Sequence, residues 1–194
     1  MLERAKNTPY YALLHVAVKT GLRRGELLAL RWPNIDFKSG TLSIKQSLAY
    51  TPEQGIFFKN TKNNSSRRII DISREVIEVL KQHKKKQAEA KLLLGQHYKN
   101  QGLVFCQQNS KPLHPDTISS WFPNFLEEIG LPRLNFHCLR HTHASLLLKA
   151  GVDIKIISKR LGHSSISITY DIYSHLMPGM EREVIEKFEA LLKD

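Results

Sequence analysis

The spacing of apolar positions predicts two helices at the start of the chain. Apolar residues recur every three or four positions from Tyr10 to Ala17, and Gly21 marks the end of that helix. A second helix is predicted from about Arg23 to Trp32, because Pro33 lacks a backbone donor and ends helical hydrogen bonding. The chain is therefore expected to begin with a pair of short helices.

A different pattern follows, with short runs rich in β-branched and aromatic residues. Such runs predict strands over residues 41–46, 55–58 and 67–72. Turn-prone residues separate them, with Ser39-Gly40 before the first run and residues 63–66 before the third. This pattern predicts a small antiparallel meander of three strands.

The second half of the chain returns to helical spacing. Ser73 is suited to cap a long helix that continues to about Leu94. Further helices are predicted at about 117–129, 137–150, 154–161 and 181–192. The fold class is therefore predicted to be mainly α with a small three-stranded antiparallel sheet.

The composition adds a strong positive charge to this picture. The 194 residues suit one domain, or at most two small ones, and 29 Lys and Arg against 18 Asp and Glu give a net charge of +11. A positive field favours a polyanionic partner such as nucleic acid, although a basic protein without such a partner has the same composition. The lysines of the long helix are more typical of a solvated face than of a DNA contact.

The cysteine count and the N-terminus indicate the compartment. Cys106 and Cys138 are the only cysteines, which is typical of a reducing environment without disulfides. The first residues carry charge and lack a long apolar core, and no apolar run approaches the roughly 20 residues of a membrane span. We therefore expect a soluble, cytoplasmic protein without a membrane partner.

Four short segments carry side chains suited to phosphate chemistry. A guanidinium at a helix start adds to the backbone N–H groups that favour an anion there, and a histidine and an arginine three residues apart share one helix face. Each residue alone is more typical of a solvated surface. The residues are Arg23 in segment 20–26, His137, Arg140 and His141 in segment 137–141, His163 after Leu161-Gly162, and Tyr173 in segment 169–175.

Together, these residues resemble those of the tyrosine recombinase, or phage integrase, family. The resemblance is carried by TGLRRGELLALRW at 20–32, TKNNSSRRI at 61–69, HCLRHTHASLLLKAG at 137–151 and LGHSSISITYDIYSHL at 161–176. The segments occur in the family's order and span nearly the whole chain. The resemblance implies the fold of the family's catalytic domain.

The resemblance also implies a catalytic role for six residues. The arginines bind the scissile phosphate, the histidines donate further hydrogen bonds, the lysine of the hairpin turn protonates the leaving group, and the tyrosine attacks. In this sequence these positions are Arg23 and Arg140, His137 and His163, Lys62, and Tyr173.

The lysine is assigned by its distance to a neighbouring motif. Lys62 keeps the family's spacing to the Ser-Arg pair that follows it. Members of the family often read Pro-Lys-Thr at this place, whereas this chain has Asn-Thr-Lys-Asn at residues 60–63. Lys59 is therefore the alternative candidate for the lysine that protonates the leaving group.

The remaining assignments concern the nucleophile and two supporting residues. Tyr173, and not Tyr170, completes the family's Thr-x-x-x-Tyr pattern that begins at Thr169. Glu26 matches an acidic position that orients the first arginine. His141 is expected to support the site without direct contact with the phosphate.

These residue types fit a transesterification at a phosphodiester. The in-line transition state concentrates charge on the non-bridging oxygens, which paired guanidinium N–H donors stabilise. A tyrosine hydroxyl, with a pKa of about 10, must lose its proton to attack, and the cationic cluster favours the phenolate. The resemblance implies a 3′-phosphotyrosine intermediate that retains the bond energy, so neither ATP, a metal ion nor another cofactor is expected.

Two other function classes fit parts of the sequence. Segment 152–169 has the pattern of a helix-turn-helix, so a non-catalytic DNA-binding regulator is one alternative, although it leaves the arginines and Tyr173 without a shared purpose. Type IB topoisomerases share the chemistry, so strand relaxation is the other alternative. A metal hydrolase is disfavoured because Cys138 stands where a zinc-protease helix carries Glu between its two histidines.

The resemblance finally implies an organisation for the protein. Residues 1–177 are expected to form the catalytic domain, with the family's N-terminal core-binding domain absent from this chain. Residues 178–194 are expected to form a helical tail that is exchanged between protomers or packs on its own domain. The expected partner is double-stranded DNA, bound by a homotetramer on paired sites during phage or mobile-element integration and excision, with the protein at the nucleoid when bound.

Overall fold

The computed structural model describes residues 1–60 and 67–173, with Ile185, Phe188, Glu189 and Leu192 near the C-terminus. The α-helices in this part of the chain are α1 (Leu2–Ala5), α2 (Tyr11–Thr20), α3 (Arg24–Leu28), α4 (Arg74–Leu94), α5 (Pro115–Glu128), α6 (Cys138–Lys149), α7 (Ile154–Leu161) and α8 (Ile166–Tyr173). The strands are β1 (Ile35–Asp36), β2 (Thr41–Ile44), β3 (Gln46–Thr51), β4 (Gly55–Asn60) and β5 (Arg68–Asp71). Helix predominates, as the apolar spacing predicts, while most of the predicted helix at 181–192 lies outside the described residues.

The strands form two separate antiparallel units. β1, β2 and β5 make a three-stranded sheet in the order β1-β2-β5, in which Ile44 faces Arg68. β3 and β4 form a hairpin of their own, with Gln46 opposite Asn60. The predicted small antiparallel sheet is confirmed, but its description as a meander is wrong.

The difference arises at Lys45, which separates two strands with different partners. The predicted strand over residues 41–46 is split there, because Ile44 pairs with β5 and Gln46 pairs with β4. The hairpin is therefore inserted between β2 and β5, and the third strand of the sheet is β1. A strand of two residues is too short to produce an alternating pattern in the sequence.

The second helix is also shorter than predicted. α3 ends at Leu28 instead of continuing to Trp32. The backbone N–H of Val104 donates to the Leu30 carbonyl at 2.8 Å, and the Trp32 N–H donates to the Gly102 carbonyl at 2.9 Å. Because these backbone groups bond to another segment of the chain, they cannot continue the helix.

The long helix α4 begins and ends where the sequence predicts. The Ser73 hydroxyl accepts a hydrogen bond from the Val76 N–H at 3.4 Å and caps the helix. Val76 and Leu80 are its buried residues, so the lysines of this helix lie in solvent. No helix in the part of the chain that the structure describes is long and apolar enough to cross a membrane.

Apolar side chains from helices and sheet form one large core. Fully buried leucines come from α2 (Leu14), α3 (Leu27) and β2 (Leu42), and Phe122 comes from α5. Burial of each contributes on the order of 1.5–3 kcal/mol. A second, smaller cluster joins α6 to α7 through Ala144, Leu148, Ile157 and Leu161. This smaller cluster fixes the C-terminal end of α7, where the candidate site lies.

Candidate active site

Residues from three of the predicted segments meet at the C-terminal end of α7. Gly21 follows α2 and Gly162 follows α7, and both have left-handed backbone (φ 66° and 69°), which glycine adopts without a steric penalty. The last carbonyl groups of a helix have no partner within it. Around these turns, the carbonyl oxygens of Gly21, Leu161 and Gly162 accept hydrogen bonds from two arginines of other segments.

The first of these arginines, Arg140, lies in the first turn of α6 and is 3% exposed. Its Nη1 donates to the Gly21 carbonyl oxygen at 2.8 Å, and its Nη2 donates to the Leu161 carbonyl oxygen at 2.8 Å. A buried charge is tolerated only where such dipoles replace the lost water. Backbone groups from two separate segments therefore hold this guanidinium in one orientation.

The second arginine, Arg23, lies between α2 and α3 and is partly exposed. Its Nη1 donates to the Leu161 carbonyl oxygen at 3.4 Å, and its Nη2 donates to the Gly162 carbonyl oxygen at 3.1 Å. With the bond to Glu26, contacts with the described residues use three of the five N–H donors of a guanidinium. Arg23 thus shares an acceptor with Arg140 and keeps two donors for a ligand.

The buried carboxylate of Glu26 holds two arginines. Its Oε1 accepts from Arg23 Nη1 at 3.1 Å, and its two oxygens accept from Arg68 Nη1 and Nη2 at 3.0 and 2.9 Å. Burial alone raises the pKa of Glu26, but the hydrogen bonds and charge of Arg68, together with those of Arg23, outweigh it and lower the pKa. Glu26 therefore remains an anion in contact with both guanidiniums.

The histidine that follows α7 is fixed by a threonine of α8. His163 Nδ1 lies 2.7 Å from Oγ1 of Thr169, whose side chain is completely buried. Burial, followed by the charges of Arg140 and Arg23, lowers the pKa of His163 from 6.5 to about 4. The imidazole is therefore neutral near neutral pH and can exchange a proton through its other nitrogen.

The histidines of the His-x-x-Arg box lie at the start of α6. His137 is exposed, and its ring centre lies 4.8 Å from that of His141, with the rings at 81°. Partial desolvation, followed by the charges of His141, Arg140 and Arg23, lowers the pKa of His137. For His141, desolvation followed by the charge of Arg140 lowers the pKa. Both rings therefore favour the neutral form beside the arginines.

A second hydrogen-bond network, formed by His143 and Arg160, supports the elements that carry the site. His143 Nδ1 donates to the Val18 carbonyl oxygen at 2.9 Å, so His143 Nε2 accepts from Arg160 Nε at 3.1 Å. Burial, followed by the charge of Arg160, lowers the pKa of His143 from 6.5 to about 4. Arg160 also donates to the carbonyl oxygens of Asp71 at 3.2 Å and Lys19 at 3.3 Å. These bonds join α7 to α2, α6 and β5.

The predicted nucleophile, Tyr173, lies ten residues after His163, and the structure describes its backbone only. Tyr173 is the last residue of α8, the helix whose Thr169 binds His163. Lys62 lies outside the described residues. Its alternative, Lys59, lies exposed on β4 with Nζ 5.1 Å from the centre of the Phe57 ring.

The sequence analysis does not assign Arg68 or Thr169 to the site, although the sequence pattern around each residue indicates that it could belong there. β5 alternates between its two faces, and Arg68 shares a face with the buried Ile70. A charged residue on a buried face requires a buried partner, which is Glu26. Thr169 lies one helical turn before Tyr173, on the same face of α8.

A basic groove runs along both sides of Arg68. On one side it encloses about 650 Å³ between β5 and α7, where Lys155, Lys159 and His163 are among its lining residues. On the other side it encloses about 1070 Å³ and reaches the base of the β3–β4 hairpin, with Lys45 and Lys159 in its wall. A groove with cations on both walls suits a polyanion.

The arrangement can stabilise charge on a bound phosphate. The cluster in the described part of the chain contains three guanidiniums, of which those of Arg23 and Arg68 bind the carboxylate of Glu26 and that of Arg140 binds backbone carbonyl groups, so it keeps a net positive charge. Fixed cations and N–H donors of this kind are the groups that lower the barrier of phosphoryl transfer. Within residues 1–60 and 67–173, no three His, Cys, Asp or Glu side chains gather in a way that could hold a metal ion.

Comparison with known proteins gives sequence relatives over almost the whole chain. The chain is 34% identical over 97% of its length to the "Tyrosine recombinase XerC-like" protein of Caldanaerobacter subterraneus subsp. tengcongensis, of which it covers 51%. It is 33% identical over 91% of its length to the ICEBs1 integrase of Bacillus subtilis, of which it covers 48%. The chain therefore spans about half the length of these curated relatives.

Solved structures share the fold. The Tn1549 transposon integrase in complex with transposon right end DNA matches with a TM-score of 0.81 at 23% identity, over 96% of this chain and 62% of that chain. The XerA recombinase matches with a TM-score of 0.71 at 25% identity, over 96% of this chain and 59% of that chain. These likenesses confirm the predicted fold class. The model of the phage integrase family matches residues 1–179, and the chain therefore belongs to that family.

Proposed function

We propose that this chain is the catalytic domain of a site-specific DNA recombinase that cleaves and rejoins strands through Tyr173. One observation carries the proposal: Arg23 and Arg140, from distant segments, donate to the same Leu161 carbonyl oxygen beside His163. A regulator that only binds DNA has no need for two guanidiniums fixed at one point. Phosphoryl transfer does, because its transition state concentrates negative charge on one phosphate.

In the proposed cleavage, the Tyr173 oxygen attacks the scissile phosphorus in line with the bond to the 5′-oxygen. Arg23 and Arg140 bind the non-bridging oxygens through their N–H donors. The bond from phosphorus to the 5′-oxygen breaks, and the 3′-phosphate stays on the tyrosine. Attack by the 5′-hydroxyl of another strand reverses these bonds, so no ATP is required.

Two proton transfers accompany the cleavage. His163, whose pKa is lowered to about 4, is neutral near neutral pH and able to accept the proton of the attacking hydroxyl. Lys62 donates a proton to the departing 5′-oxygen, which is a poor leaving group as an alkoxide. His137 adds a hydrogen bond to the phosphate, and Glu26 orients Arg23.

The proposal extends to the partners of the protein. The substrate is double-stranded DNA, engaged at the nucleoid by a homotetramer on paired sites. Residues 1–177 form the catalytic domain, and residues 178–194 form a C-terminal tail that either contacts a neighbouring protomer or packs on its own domain. Integration or excision of a mobile element is favoured over other recombination, because the relatives of this chain include the ICEBs1 integrase and the chain shares its fold with the Tn1549 transposon integrase.

The test is covalent capture of DNA. A pool of nicked suicide duplexes with randomised sequence around the nick is incubated with the wild type, and adducts that survive denaturation are isolated and sequenced. The nick lets the short fragment that carries the free 5′-hydroxyl diffuse away, so the strand with the 3′-phosphotyrosine cannot be rejoined and the adduct accumulates. Tyr173→Phe removes only the attacking hydroxyl and serves as the matched variant.

The outcomes distinguish the parts of the proposal. The wild type is expected to form a tyrosine-linked adduct, and Tyr173→Phe none. The absence of an adduct with the wild type contradicts the recombinase activity of this chain. An adduct with Tyr173→Phe shows that another residue is the nucleophile.

A further inference from the structure

Three consecutive carbonyl groups at the end of α7 each accept a hydrogen bond from an arginine of another segment. Arg68 Nε donates to the Arg160 carbonyl oxygen at 2.7 Å, one residue before the carbonyl shared by Arg23 and Arg140. Cations at this end of a helix also interact favourably with its dipole. Arg68 is thus bonded to the same helix end as the two arginines of the proposed reaction.

The other end of the Arg68 guanidinium binds Glu26 as a fork. Its Nη1 and Nη2 donate to the two carboxylate oxygens at 3.0 and 2.9 Å, and the two side chains are 5% and 4% exposed. Arg23 donates to only one of these oxygens through its side chain, at 3.1 Å. Arg68 is therefore the principal counter-ion of Glu26.

The pairing of Arg68 with Glu26 determines how much positive charge Arg23 can offer to a substrate. Without Arg68, the buried carboxylate of Glu26 has Arg23 as its nearest cation, and the pair is neutral. With Arg68 present, Glu26 is neutralised by the buried partner, while Arg23 is oriented by the same carboxylate and keeps its positive charge for a phosphate. The effect is strong because these groups are shielded from water.

We propose that Arg68 is a positioning residue for DNA cleavage, which neutralises Glu26 so that Arg23 keeps both its charge and its orientation. The inference rests on the proposed recombinase function and assigns Arg68 no contact with the DNA. It explains why a charged residue occupies the buried face of β5, beside Ile70. It also explains the tight packing of Gly162, where an added Cβ lies 2.6 Å from Arg68 Nη1.

The experiment measures the single-turnover rate of adduct formation at saturating DNA, with a nicked duplex selected by the wild type. DNA affinity is measured separately by fluorescence anisotropy, below the melting temperature of each variant. Arg68→Met removes the charge and keeps the apolar stem. The cleavage rate is expected to fall by about 10-fold or more, less than the 10²–10³ typical of a lost direct donor, with little change in DNA affinity.

The double variant Arg68→Met/Glu26→Gln separates this role from a purely structural one. It removes one positive and one negative charge, so the net charge around Arg23 and Arg140 is that of the wild type. We expect it to cleave faster than Arg68→Met, which is a coupling between the two sites. Arg133→Met is the matched control, because it removes the same charge from an exposed ion pair with Glu127 that is outside the Glu26–Arg68 pair, and its rate is expected to equal that of the wild type.

Each result decides the inference. A folded Arg68→Met variant that cleaves at the wild-type rate overturns it, as does a double variant no faster than Arg68→Met. If Arg68→Met does not fold, Arg68→Lys decides. One ammonium cannot form the fork and reach the Arg160 carbonyl, so an undiminished rate in Arg68→Lys overturns the inference as well. A wild type that forms no adduct contradicts the recombinase function itself, whereas equal rates in active variants contradict only the role of Arg68.

Discussion

Thr169, completely buried in α8, holds its hydroxyl oxygen 2.7 Å from Nδ1 of His163. The bond joins the turn after α7 to the helix that ends at Tyr173. It also determines which nitrogen of the imidazole meets a ligand, because one nitrogen is already engaged. The helix that carries the proposed nucleophile is thus linked to the proposed proton acceptor by a buried side chain.

Thr169→Val is therefore expected to slow cleavage. Valine has the shape of threonine but no hydroxyl, so the imidazole of His163 loses the partner that fixes its orientation, at a cost of about 1–3 kcal/mol. We expect a fall of about 10-fold in the single-turnover rate, since 1.4 kcal/mol is about tenfold. Thr169→Ser, which keeps the hydroxyl, is expected to retain most of the rate, and equal loss in both variants contradicts the role of the bond.

A substitution at Gly21 is expected to damage both stability and cleavage. The backbone there is left-handed, and an added Cβ lies 2.7 Å from His143 Cδ2 and 2.8 Å from Leu161 Cδ2. Gly21→Ala combines strain of roughly 1–2 kcal/mol with overpacking of about 1–3 kcal/mol. It also shifts the carbonyl that binds Arg140.

Gly130→Ala is the matched control for this prediction. Gly130 has the same left-handed backbone (φ 77°), but an added Cβ meets nothing within 4 Å. Its cost is therefore limited to the backbone strain, and the cleavage rate is expected to be unchanged. Urea unfolding of both variants measures the difference, and equal free energies of unfolding contradict the close packing around Gly21.

His143 is expected to make the stability of the fold depend on pH. Its pKa is lowered from 6.5 in the unfolded chain to about 4 in the fold. The stabilising contribution is therefore complete above pH 6.5 and is lost as the pH falls toward 4, because the unfolded state binds the proton first. His163 has the same direction of shift and adds to the loss.

The measurement is the free energy of unfolding at several pH values in this window. His143→Gln keeps an oxygen that accepts from Arg160 but does not titrate. Its unfolding is expected to take up about one proton fewer than that of the wild type between about pH 4 and 6.5, which gives a shallower pH dependence. Identical slopes for the two proteins contradict the neutral buried state of His143.

The sequence was sufficient for features that neighbouring residues determine. The cap at Ser73 and the helix end at Gly21 depend on local backbone geometry, and both are present. β1 and β3 were missed, because their partners lie further along the chain and propensity does not identify a partner. The predicted end of α3 is wrong for the same reason, because hydrogen bonds to a distant segment determine where this helix ends.

In the candidate site, too, residues within one short motif can be predicted from the sequence, whereas contacts between distant residues cannot. Arg23, His137, Arg140 and His163 are predicted from the sequence because each lies in a compact motif. The pairing of Arg68 with Glu26 joins residues 42 positions apart, and no short motif contains both. The buried face of β5 indicates that Arg68 needs an anionic partner, but only the folded chain identifies it.

The basic groove leads to a prediction about salt dependence. Lys159, exposed on α7, lies in the wall of the groove on both sides of Arg68. If its ammonium neutralises one DNA phosphate, the logarithm of affinity falls with the logarithm of salt concentration by about 0.9 per contact. Lys159→Gln is expected to weaken binding for all DNA sequences alike. It is also expected to reduce the slope of log affinity against log salt concentration by about 0.9, the value for one phosphate contact.

Lys85→Gln is the control that separates a local contact from net charge. It removes the same charge from an exposed position on α4, whose lysines lie in solvent. Because exposed charges further apart than about 10 Å are largely screened at 0.1 M salt, its slope is expected to match that of the wild type. Fluorescence anisotropy titrations at several salt concentrations measure both slopes. Equal reductions in the two variants show that overall charge, and not the groove, attracts the DNA.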